Sequence, residues 1–312
     1  MRYRDGLPQL GGALFMTDGG IETTLIFHEG FELPEFAAVD LLRSEEGTEA
    51  LRSYYARYAE LAGDLGIGFV LESPTWRASP AWAARLGYSA RELDRLNRTA
   101  IALLEEIRDQ YERPRSPFVI SGCVGPQGDG YAPEEVLSAD AAESYHHTQI
   151  STFAETSADM VTAITMTYAA EAVGIVRAAS RKGLPAAISF TLETDGRLPS
   201  GQPLGEAIDQ VDEETQQGAA YFMINCAHPT HFEHIIEREA PWLARVRGVR
   251  ANASTKSHAE LDEATTLDDG DPEDLARRHG QLRASLANLN VVGGCCGTDH
   301  RHVEAICRTL LS

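Results

Sequence analysis

The stretch from Val291 to Thr298 reads Val-Val-Gly-Gly-Cys-Cys-Gly-Thr, a short apolar run that ends in a glycine-rich turn. It belongs to a series of eight short runs, rich in Val, Ile and Phe, that are spaced along the chain. The runs are Leu14–Thr17, Gly68–Leu71, Phe118–Ser121, Met160–Ile164, Ala186–Phe190, Tyr221–Asn225, Arg247–Arg250 and Leu289–Val292. Runs without clean alternation of polar and apolar residues are typical of strands buried on both faces of a parallel sheet.

Helical patterns separate these runs. Apolar residues recur at helical spacing from Leu51 to Leu65 and from Leu93 to Ile107. Helix starts are predicted from cap residues at Ser89 with Glu92, at Asp271 with Pro272, and at Thr298. The chain therefore reads as alternating strands and helices.

Eight β/α repeats in a chain of 312 residues predict an α/β fold, a (β/α)8 barrel of the TIM type. A doubly wound open sheet gives the same local pattern and is the alternative. No Gly/Ser-rich linker and no abrupt change of composition divides the chain. We therefore expect residues 1–312 to form a single barrel domain.

Composition excludes several classes of function. The hydrophobic fraction of 43% and the charged fraction of 24% are ordinary for a globular protein. A formal net charge of −20 argues against a nucleic-acid or anionic-membrane partner, since both need clustered cations. No apolar stretch predicts a membrane span or a secretion signal, so we expect a cytoplasmic protein. The oligomeric state stays open, and a homo-oligomer is compatible with the sequence.

Three cysteines at the ends of two candidate strands suggest one soft-metal site. Cys226 ends the sixth run, and Cys295 with Cys296 follows the eighth. The strand ends of a barrel meet at one face, so the three thiols are expected to converge there. Sulfur ligands favour zinc, copper(I) or iron–sulfur chemistry, and three protein ligands leave the fourth position of a catalytic zinc open. The other two cysteines, Cys123 and Cys307, are expected to be small buried residues.

The chain resembles the homocysteine S-methyltransferases, the zinc-dependent barrel enzymes that methylate homocysteine. The resemblance is based on six motifs that run in the expected order from near residue 14 to 306, and the double-cysteine motif is the most specific of them. The motifs are Gly293–Thr298, Asn225-Cys226, Thr17–Gly20, Gly122–Pro126, Tyr145-His146 with Gln149, and Leu267–Gly270.

The resemblance implies a role for each matching residue. Cys226, Cys295 and Cys296 would hold Zn²⁺, and the acceptor thiol would take the open position, so that no catalytic residue is needed beyond the zinc-activated thiol. Asp18 would pair with the ammonium group of the acceptor, and the N–H groups of Gly19 and Gly20 would bind its carboxylate. Asn225, beside Cys226, is assigned to the same substrate-binding group.

One position departs from the family pattern. After the fourth strand the family usually carries Glu-Thr, whereas Ile164 stands here where that Glu aligns. An isoleucine cannot neutralise an ammonium group. Glu72 and Glu193 follow the second and fifth strands, and we predict that one of them contacts the ammonium of the acceptor instead.

The predicted function is therefore zinc-dependent S-methyl transfer between two small molecules. The donor would be a sulfonium such as S-methylmethionine, or an ammonium compound, and the leading acceptor is L-homocysteine, which would give methionine. A different thiol or selenol acceptor is the first alternative, because of Ile164. A non-catalytic zinc-binding barrel is the second, and it would require a fourth protein ligand.

Overall fold

The structure is a computed structural model, and it describes residues 2–131, 136–236, 240–263 and 266–312. Eight parallel strands close into a barrel in the order β1 to β8. The strands are β1 (Phe15–Met16), β2 (Gly68–Glu72), β3 (Phe118–Val124), β4 (Met160–Met166), β5 (Ala186–Thr191), β6 (Ala219–Asn225), β7 (Val246–Ala251) and β8 (Val291–Gly294). The prediction of a (β/α)8 barrel is confirmed, and the open doubly wound sheet is excluded.

Helices follow the strands and cover the outside of the barrel. The α-helices are α1 (Ile21–Thr23), α2 (Glu45–Leu65), α3 (Pro80–Leu86), α4 (Ala90–Tyr111), α5 (Ala139–Ala154), α6 (Ala169–Arg181), α7 (Leu204–Thr215), α8 (Pro229–Ile236), α9 (His258–Asp262), α10 (Pro272–Ser285) and α11 (His300–Leu311). A π-helix covers Thr24–His28, and 3-10 helices cover Pro8–Gly11, Pro34–Phe36, Ala38–Arg43 and Pro241–Arg245. Within the described ranges, no helix combines the length and the apolar character that crossing a bilayer requires.

Helix starts follow the cap residues, with one correction. The hydroxyl of Ser89 accepts a hydrogen bond from the backbone N–H of Glu92 at 3.2 Å, and Asp271 caps α10. Thr298 was expected to cap the last helix, but Asp299 caps α11 instead. The Thr298 hydroxyl donates to the carbonyl oxygen of Cys295 at 2.7 Å, so this residue braces the cysteine turn.

The hydrophobic core has two layers, as expected for a barrel whose interior is filled with side chains. The larger layer lies between the strands and the surrounding helices. The inner layer consists of buried apolar side chains: Leu7, Phe15, Val70, Val119, Met160, Ala187, Tyr221, Met223 and Val291. Burial of each large apolar side chain contributes about 1.5–3 kcal/mol. These side chains fill the barrel interior, and the cavity described below lies at the carboxyl ends of the strands.

A buried carboxylate ties the amino-terminal segment to the barrel. The Oδ1 atom of Asp159 accepts hydrogen bonds from the backbone N–H groups of Arg2 and Tyr3 at 2.7 and 2.8 Å. Its Oδ2 atom accepts from Arg108 at 2.7 Å and from the backbone of Ile120 at 3.0 Å. One side chain therefore joins the N-terminus, α4 and β3.

We expect Asp159→Ala to destabilise the protein by about 3–5 kcal/mol, because it leaves the buried guanidinium of Arg108 without its partner. Urea unfolding followed by circular dichroism measures this. Asp109→Ala is the matched control, since the Asp109 side chain is 64% exposed and its ion pair with Arg2 is on the surface. Equal, small losses for both variants would contradict the assignment.

Candidate metal centre and substrate cavity

Three cysteine sulfurs converge at the carboxyl end of the barrel. The Sγ atom of Cys226 lies 2.9 Å from Sγ of Cys295 and 3.4 Å from Sγ of Cys296. All three sulfurs lie within 4.8 Å of one another, and all three cysteines are free thiols. Among the described residues, no other group of three His, Cys, Asp or Glu ligand atoms is this compact. The convergence predicted from the strand ends is therefore found.

The backbone conformation at the ends of β6 and β8 directs these thiols towards one another. Cys226 has a φ of +54°, a left-handed conformation that a side chain adopts only when its surroundings hold it there. At the last residue of β8, a Cβ atom on Gly294 would lie 2.0 Å from the hydroxyl of Thr298. Gly297 has a φ of +79° and turns the chain directly after the cysteine pair.

The donor set fits a zinc ion. A tetrahedral zinc with bonds of about 2.3 Å to sulfur separates its sulfur ligands by about 3.8 Å. The 3.4 Å between Cys226 and Cys296 is near that value, and the 2.9 Å between Cys226 and Cys295 would widen by about 0.9 Å around the ion. Cys226 is buried, while Cys295 and Cys296 are partly exposed towards a cavity. Thiolates this close together repel one another, so a soft cation between them would stabilise the arrangement.

Asn225 braces the cluster and is not a lining residue of the cavity. Its Oδ1 atom accepts from the backbone N–H of Thr165 at 3.0 Å and from the Ser189 hydroxyl at 2.6 Å. Its Nδ2 atom donates to the Thr165 hydroxyl at 2.9 Å and lies 4.0 Å from Sγ of Cys295. Thr165 itself has a φ of +66°. Asn225 therefore joins β4, β5 and β6, and its contact with the substrate stays a prediction.

Glu193 is also a positioning residue in the structure and lies outside the cavity lining. Its Oε1 atom lies 3.2 Å from Nδ1 of His258. The Nε2 atom of His258 donates to the backbone carbonyl oxygen of Cys226 at 2.6 Å. The Glu193 side chain is 36% exposed, and its contact with His258 supports the strained backbone of Cys226.

Tyr131 covers the thiol cluster. Its hydroxyl lies 3.1 Å from Sγ of Cys226 and 3.5 Å from Sγ of Cys296, and its ring packs on His258 with a centroid distance of 4.2 Å. Burial and the neighbouring thiols raise the pKa of Tyr131, so the hydroxyl keeps its proton and can donate it to sulfur. No sequence pattern indicated this contact, because Tyr131 lies in a loop that is distant in sequence from Cys226, Cys295 and Cys296.

We expect Tyr131→Phe to reduce turnover about 10-fold while the zinc content stays unchanged, since it removes a hydrogen bond to the ligands and no ligand itself. Zinc analysis and initial rates on the same samples measure both quantities. Tyr3→Phe is the control, because the Tyr3 hydroxyl bonds Glu112 near the opposite end of the barrel. Loss of zinc from the Tyr131 variant would contradict the assignment.

A cavity of about 720 Å³ opens above the sulfur atoms. Asp18 and Arg250 lie on its floor, and both side chains are buried. Nη2 of Arg250 donates to Oδ1 of Asp18 at 2.6 Å, and the Tyr54 hydroxyl donates to Oδ2 at 2.9 Å. Both oxygens of Asp18 therefore already have partners within the protein, and Arg250 offsets its charge.

Gly19 and Gly20 follow Asp18, and their backbone N–H groups were expected to bind the carboxylate of the acceptor. The N–H of Gly20 donates to the Thr298 carbonyl oxygen at 3.1 Å. A Cβ atom at Gly19 would lie 2.7 Å from the Tyr58 hydroxyl, so Gly19 allows that residue to pack closely. Both glycines line the cavity, but the Gly20 amide is not free to bind a carboxylate.

Glu72 is a buried carboxyl group in the cavity lining. Among the described residues its Oε2 atom has no hydrogen-bond partner, and this atom is almost closed to solvent. Burial raises the pKa of Glu72 to about 7, against the opposing effects of Arg250 and of the Thr162 and Ser121 hydroxyls. Ile164 also lines the cavity and contributes no charge, as the sequence predicted.

Glu22 is a second carboxyl group in the cavity lining, and no sequence pattern indicated it. Burial, together with Cys295 and Asp18, raises the pKa of Glu22 to about 7. At the cavity mouth, the guanidinium of Arg77 lies 4.0 Å from the ring centroid of Trp82 and 4.8 Å from that of Trp76. The rings of Trp76 and Trp82 are therefore already in contact with the guanidinium of Arg77.

Comparisons with known proteins agree with this fold. The family model described as homocysteine S-methyltransferase matches residues 15–310. Homocysteine S-methyltransferase 1 of Arabidopsis thaliana is 24% identical over 322 residues, which cover 96% of this chain and 94% of the relative. The selenocysteine Se-methyltransferase of Brassica oleracea var. italica is 22% identical over 324 residues, which cover 96% and 90%. The metallated form of the homocysteine methyltransferase MmuM from Escherichia coli shares the fold with a TM-score of 0.73 at 18% identity, over 95% of this chain and 96% of that chain.

Proposed function

Because the chain belongs to the homocysteine S-methyltransferase family, we propose that it moves a methyl group from a sulfonium or ammonium donor to a small thiol, with L-homocysteine as the leading acceptor. The observation that carries this proposal is the convergence of Cys226, Cys295 and Cys296 on the floor of one cavity. We further assign residues 1–312 to one homocysteine-binding-like barrel domain.

Cys226, Cys295 and Cys296 would hold the zinc ion. Bound there, zinc would act as a Lewis acid that lowers the pKa of an acceptor thiol and so favours the nucleophilic thiolate. Tyr131 would donate a hydrogen bond to the cysteine sulfurs, and His258 with Asn225 would keep the two strand ends in place.

Glu72 would bind the ammonium group of the acceptor in place of the residue that Ile164 replaces. A buried carboxylate that lines the cavity gains a charge-assisted hydrogen bond from an ammonium group. Asp18 would contribute indirectly to acceptor binding, because its ion pair keeps Arg250 in the cavity floor. Gly19 and Gly20 would shape that floor and leave room for the acceptor.

The transfer itself would be a single displacement. The acceptor sulfur would form a bond to the methyl carbon while the bond from that carbon to the donor sulfur or nitrogen breaks, and the donor would leave as a neutral molecule with the bonding electron pair. A cationic donor suits a cavity whose lining carries six Asp and Glu side chains against three arginines.

The names of the relatives leave two acceptor classes, thiols and selenols. A non-catalytic zinc barrel is less well supported, since the cysteines open onto a cavity and the compact group contains only three His, Cys, Asp or Glu ligands among the described residues.

The test is an assay of zinc-loaded, reduced protein. S-methylmethionine and glycine betaine would serve as donors, and L-homocysteine and L-selenocysteine as acceptors, with methylated products measured by mass spectrometry. We expect methionine from at least one donor with L-homocysteine. No methylated product from any pair would overturn the proposal.

A further inference from the structure

The mouth of the cavity is rich in apolar side chains, whereas its floor at the strand ends carries the thiols and the charged pair of Asp18 and Arg250. The apolar side chains of the mouth come from the segments that follow β1, β2 and β7. They include Leu33, Phe36, Trp76, Trp82, Leu261 and Leu267. A ligand that extends from the floor to the mouth therefore meets a polar environment first and an apolar one beyond it.

Phe27 and Phe36 are the apolar side chains of the lining that are most open to solvent. Phe27 is 53% exposed and Phe36 is 55% exposed. Three other large apolar side chains in the described ranges are exposed, and they lie outside the cavity lining: Leu10, Val136 and Leu311. Exposed apolar surface at the rim of a cavity marks a place where an apolar part of a ligand gains by leaving water.

The backbone that carries Phe36 is held in an unfavourable conformation. Glu35 and Phe36 both have a φ of +53°, in the left-handed region that residues other than glycine rarely adopt. Nη1 of Arg77 donates to the carbonyl oxygen of Glu35, and the guanidinium lies 5.9 Å from the ring centroid of Phe36. Backbone strain persists where surrounding contacts maintain it, and it is concentrated at functional sites. The contact with Arg77 therefore supports the position of Phe36 at the mouth.

The charge of the cavity lining favours a cationic ligand. The lining carries six carboxyl side chains against three arginines. The charge of Arg77, at the mouth, is partly offset by the nearby carboxyl groups of Asp129, Glu22 and Glu35. The cavity therefore combines a net negative charge with an apolar mouth.

The aromatic rings of the mouth differ in how closely they contact the protein's own cation. The guanidinium of Arg77 lies 4.0 Å from the ring centroid of Trp82 and 4.8 Å from that of Trp76, nearer than the ring of Phe36. Phe27 and Phe36 therefore provide the aromatic surface that a ligand can cover.

We propose that the methyl donor is an onium compound with a bulky apolar substituent, and that Phe27 and Phe36 bind this substituent while the onium group lies near the thiol cluster. This inference rests on the proposed methyl transfer and names the donor class of the same site. The methyl group passes to the acceptor sulfur, and the donor leaves as a neutral thioether or tertiary amine that keeps the bonding electron pair. Phe27 and Phe36 are then specificity-determining residues.

The apolar part of the donor can be tested by binding alone, on the zinc-loaded wild-type protein without an acceptor. The probes are tetramethylammonium and hexyltrimethylammonium, which carry the same charge and differ only in an apolar chain. Calorimetric titration measures the affinity for each. We expect hexyltrimethylammonium to bind at least about 10-fold more tightly, because burial of about two methylene groups is sufficient for that ratio. Equal affinities for the two ions would overturn the proposal.

The variants Phe27→Ala and Phe36→Ala assign the effect to the mouth. We expect each to bind hexyltrimethylammonium about 3- to 10-fold more weakly and tetramethylammonium as the wild type does, since only the chain loses contacts. Leu311→Ala is the matched control, because Leu311 is 50% exposed on α11 and lies outside the cavity lining. A loss that the control shares, or no loss in either phenylalanine variant, would overturn the proposal. The wild-type comparison decides even if a variant does not fold.

Methyl transfer to L-homocysteine separates this inference from the proposed function. The donors are trimethylsulfonium and hexyl(dimethyl)sulfonium, and methionine is measured by mass spectrometry. We expect kcat/KM to be at least about 10-fold higher for the hexyl compound. Equal values of kcat/KM would leave the methyltransferase function standing and overturn the donor inference. No methionine from either compound or from S-methylmethionine would overturn both.

Discussion

Replacing Cys295 by alanine should remove zinc from the reduced protein and abolish methyl transfer. The variant keeps two of three sulfur ligands, and loss of even a residue that only supports a metal ligand weakens metal binding by about 10- to 100-fold. We expect zinc affinity to fall by at least about 100-fold and activity to fall below detection. Competition with a chromophoric chelator measures the affinity, and Cys226→Ala and Cys296→Ala should behave alike.

Cys307→Ala is the matched control. Cys307 is also buried and free, but it lies in α11, outside the cavity lining and the thiol cluster. This variant should bind one zinc per chain with the affinity of the wild type. Retention of wild-type zinc affinity by the Cys295 variant would show that the three sulfurs are not the metal ligands.

Replacing Glu72 by glutamine should raise the KM for L-homocysteine about 10- to 100-fold, because a neutral amide forms a weaker bond to ammonium than a carboxylate does. Glutamine has nearly the same shape, so the cavity should persist. Glu213→Gln is the control, since Glu213 is exposed on α7, lies outside the cavity lining and should leave this KM nearly unchanged. An unchanged KM in the Glu72 variant would refute its role.

The pH dependence of the Glu72 effect has a defined sign. Because the pKa of Glu72 is raised from 4.5 to about 7, the carboxyl is mostly protonated below that value and cannot accept from ammonium. Affinity for L-homocysteine should therefore rise as the pH increases through about 7 in the wild type, and this inflection should vanish in Glu72→Gln.

The raised pKa of Glu72 makes the folded state less stable as the pH rises, whereas it makes binding of L-homocysteine stronger. Between the unfolded pKa of 4.5 and the folded value of about 7, the folded state binds more protons, so the contribution of Glu72 to stability is lost as the pH rises. Relative to Glu72→Gln, the wild type should lose roughly 3 kcal/mol between pH 4.5 and 7. A wild type that gains stability relative to the variant would contradict the shift.

The strands could be predicted because burial on both faces leaves continuous apolar runs. Their ends were less visible in the sequence. β3 extends to Val124 through Ser121 and Gly122, beyond the end of the predicted apolar run. Residues 121–124 belong to β3 because they pair with Met160 to Ala163 of β4, and Gly122 leaves room for the ring of Phe153 on α5, 2.5 Å from where its Cβ would lie. Pairing between distant segments, which the local sequence does not show, therefore sets this boundary.

The thiol cluster could be predicted because each of its cysteines follows a strand, and the strand ends of a barrel meet at one face. The pairing of Asp18 with Arg250 on the cavity floor could not be predicted. Arg250 lies in a strand next to β8 and reaches Asp18, which is 232 residues away in sequence, only because the barrel closes. In the sequence Val-Arg-Gly-Val-Arg, neither arginine reveals which one points inward: Arg247 is half-buried, whereas Arg250 is buried.

X-ray absorption at the zinc edge tests the central claim most directly, because it counts the sulfur atoms around the metal with and without acceptor. For the reduced wild-type protein loaded with one zinc per chain, we predict three sulfur neighbours at about 2.3 Å, and four after addition of L-homocysteine. A count below three in the loaded protein, or a count that L-homocysteine leaves unchanged, would contradict an acceptor thiol that meets a metal held by Cys226, Cys295 and Cys296.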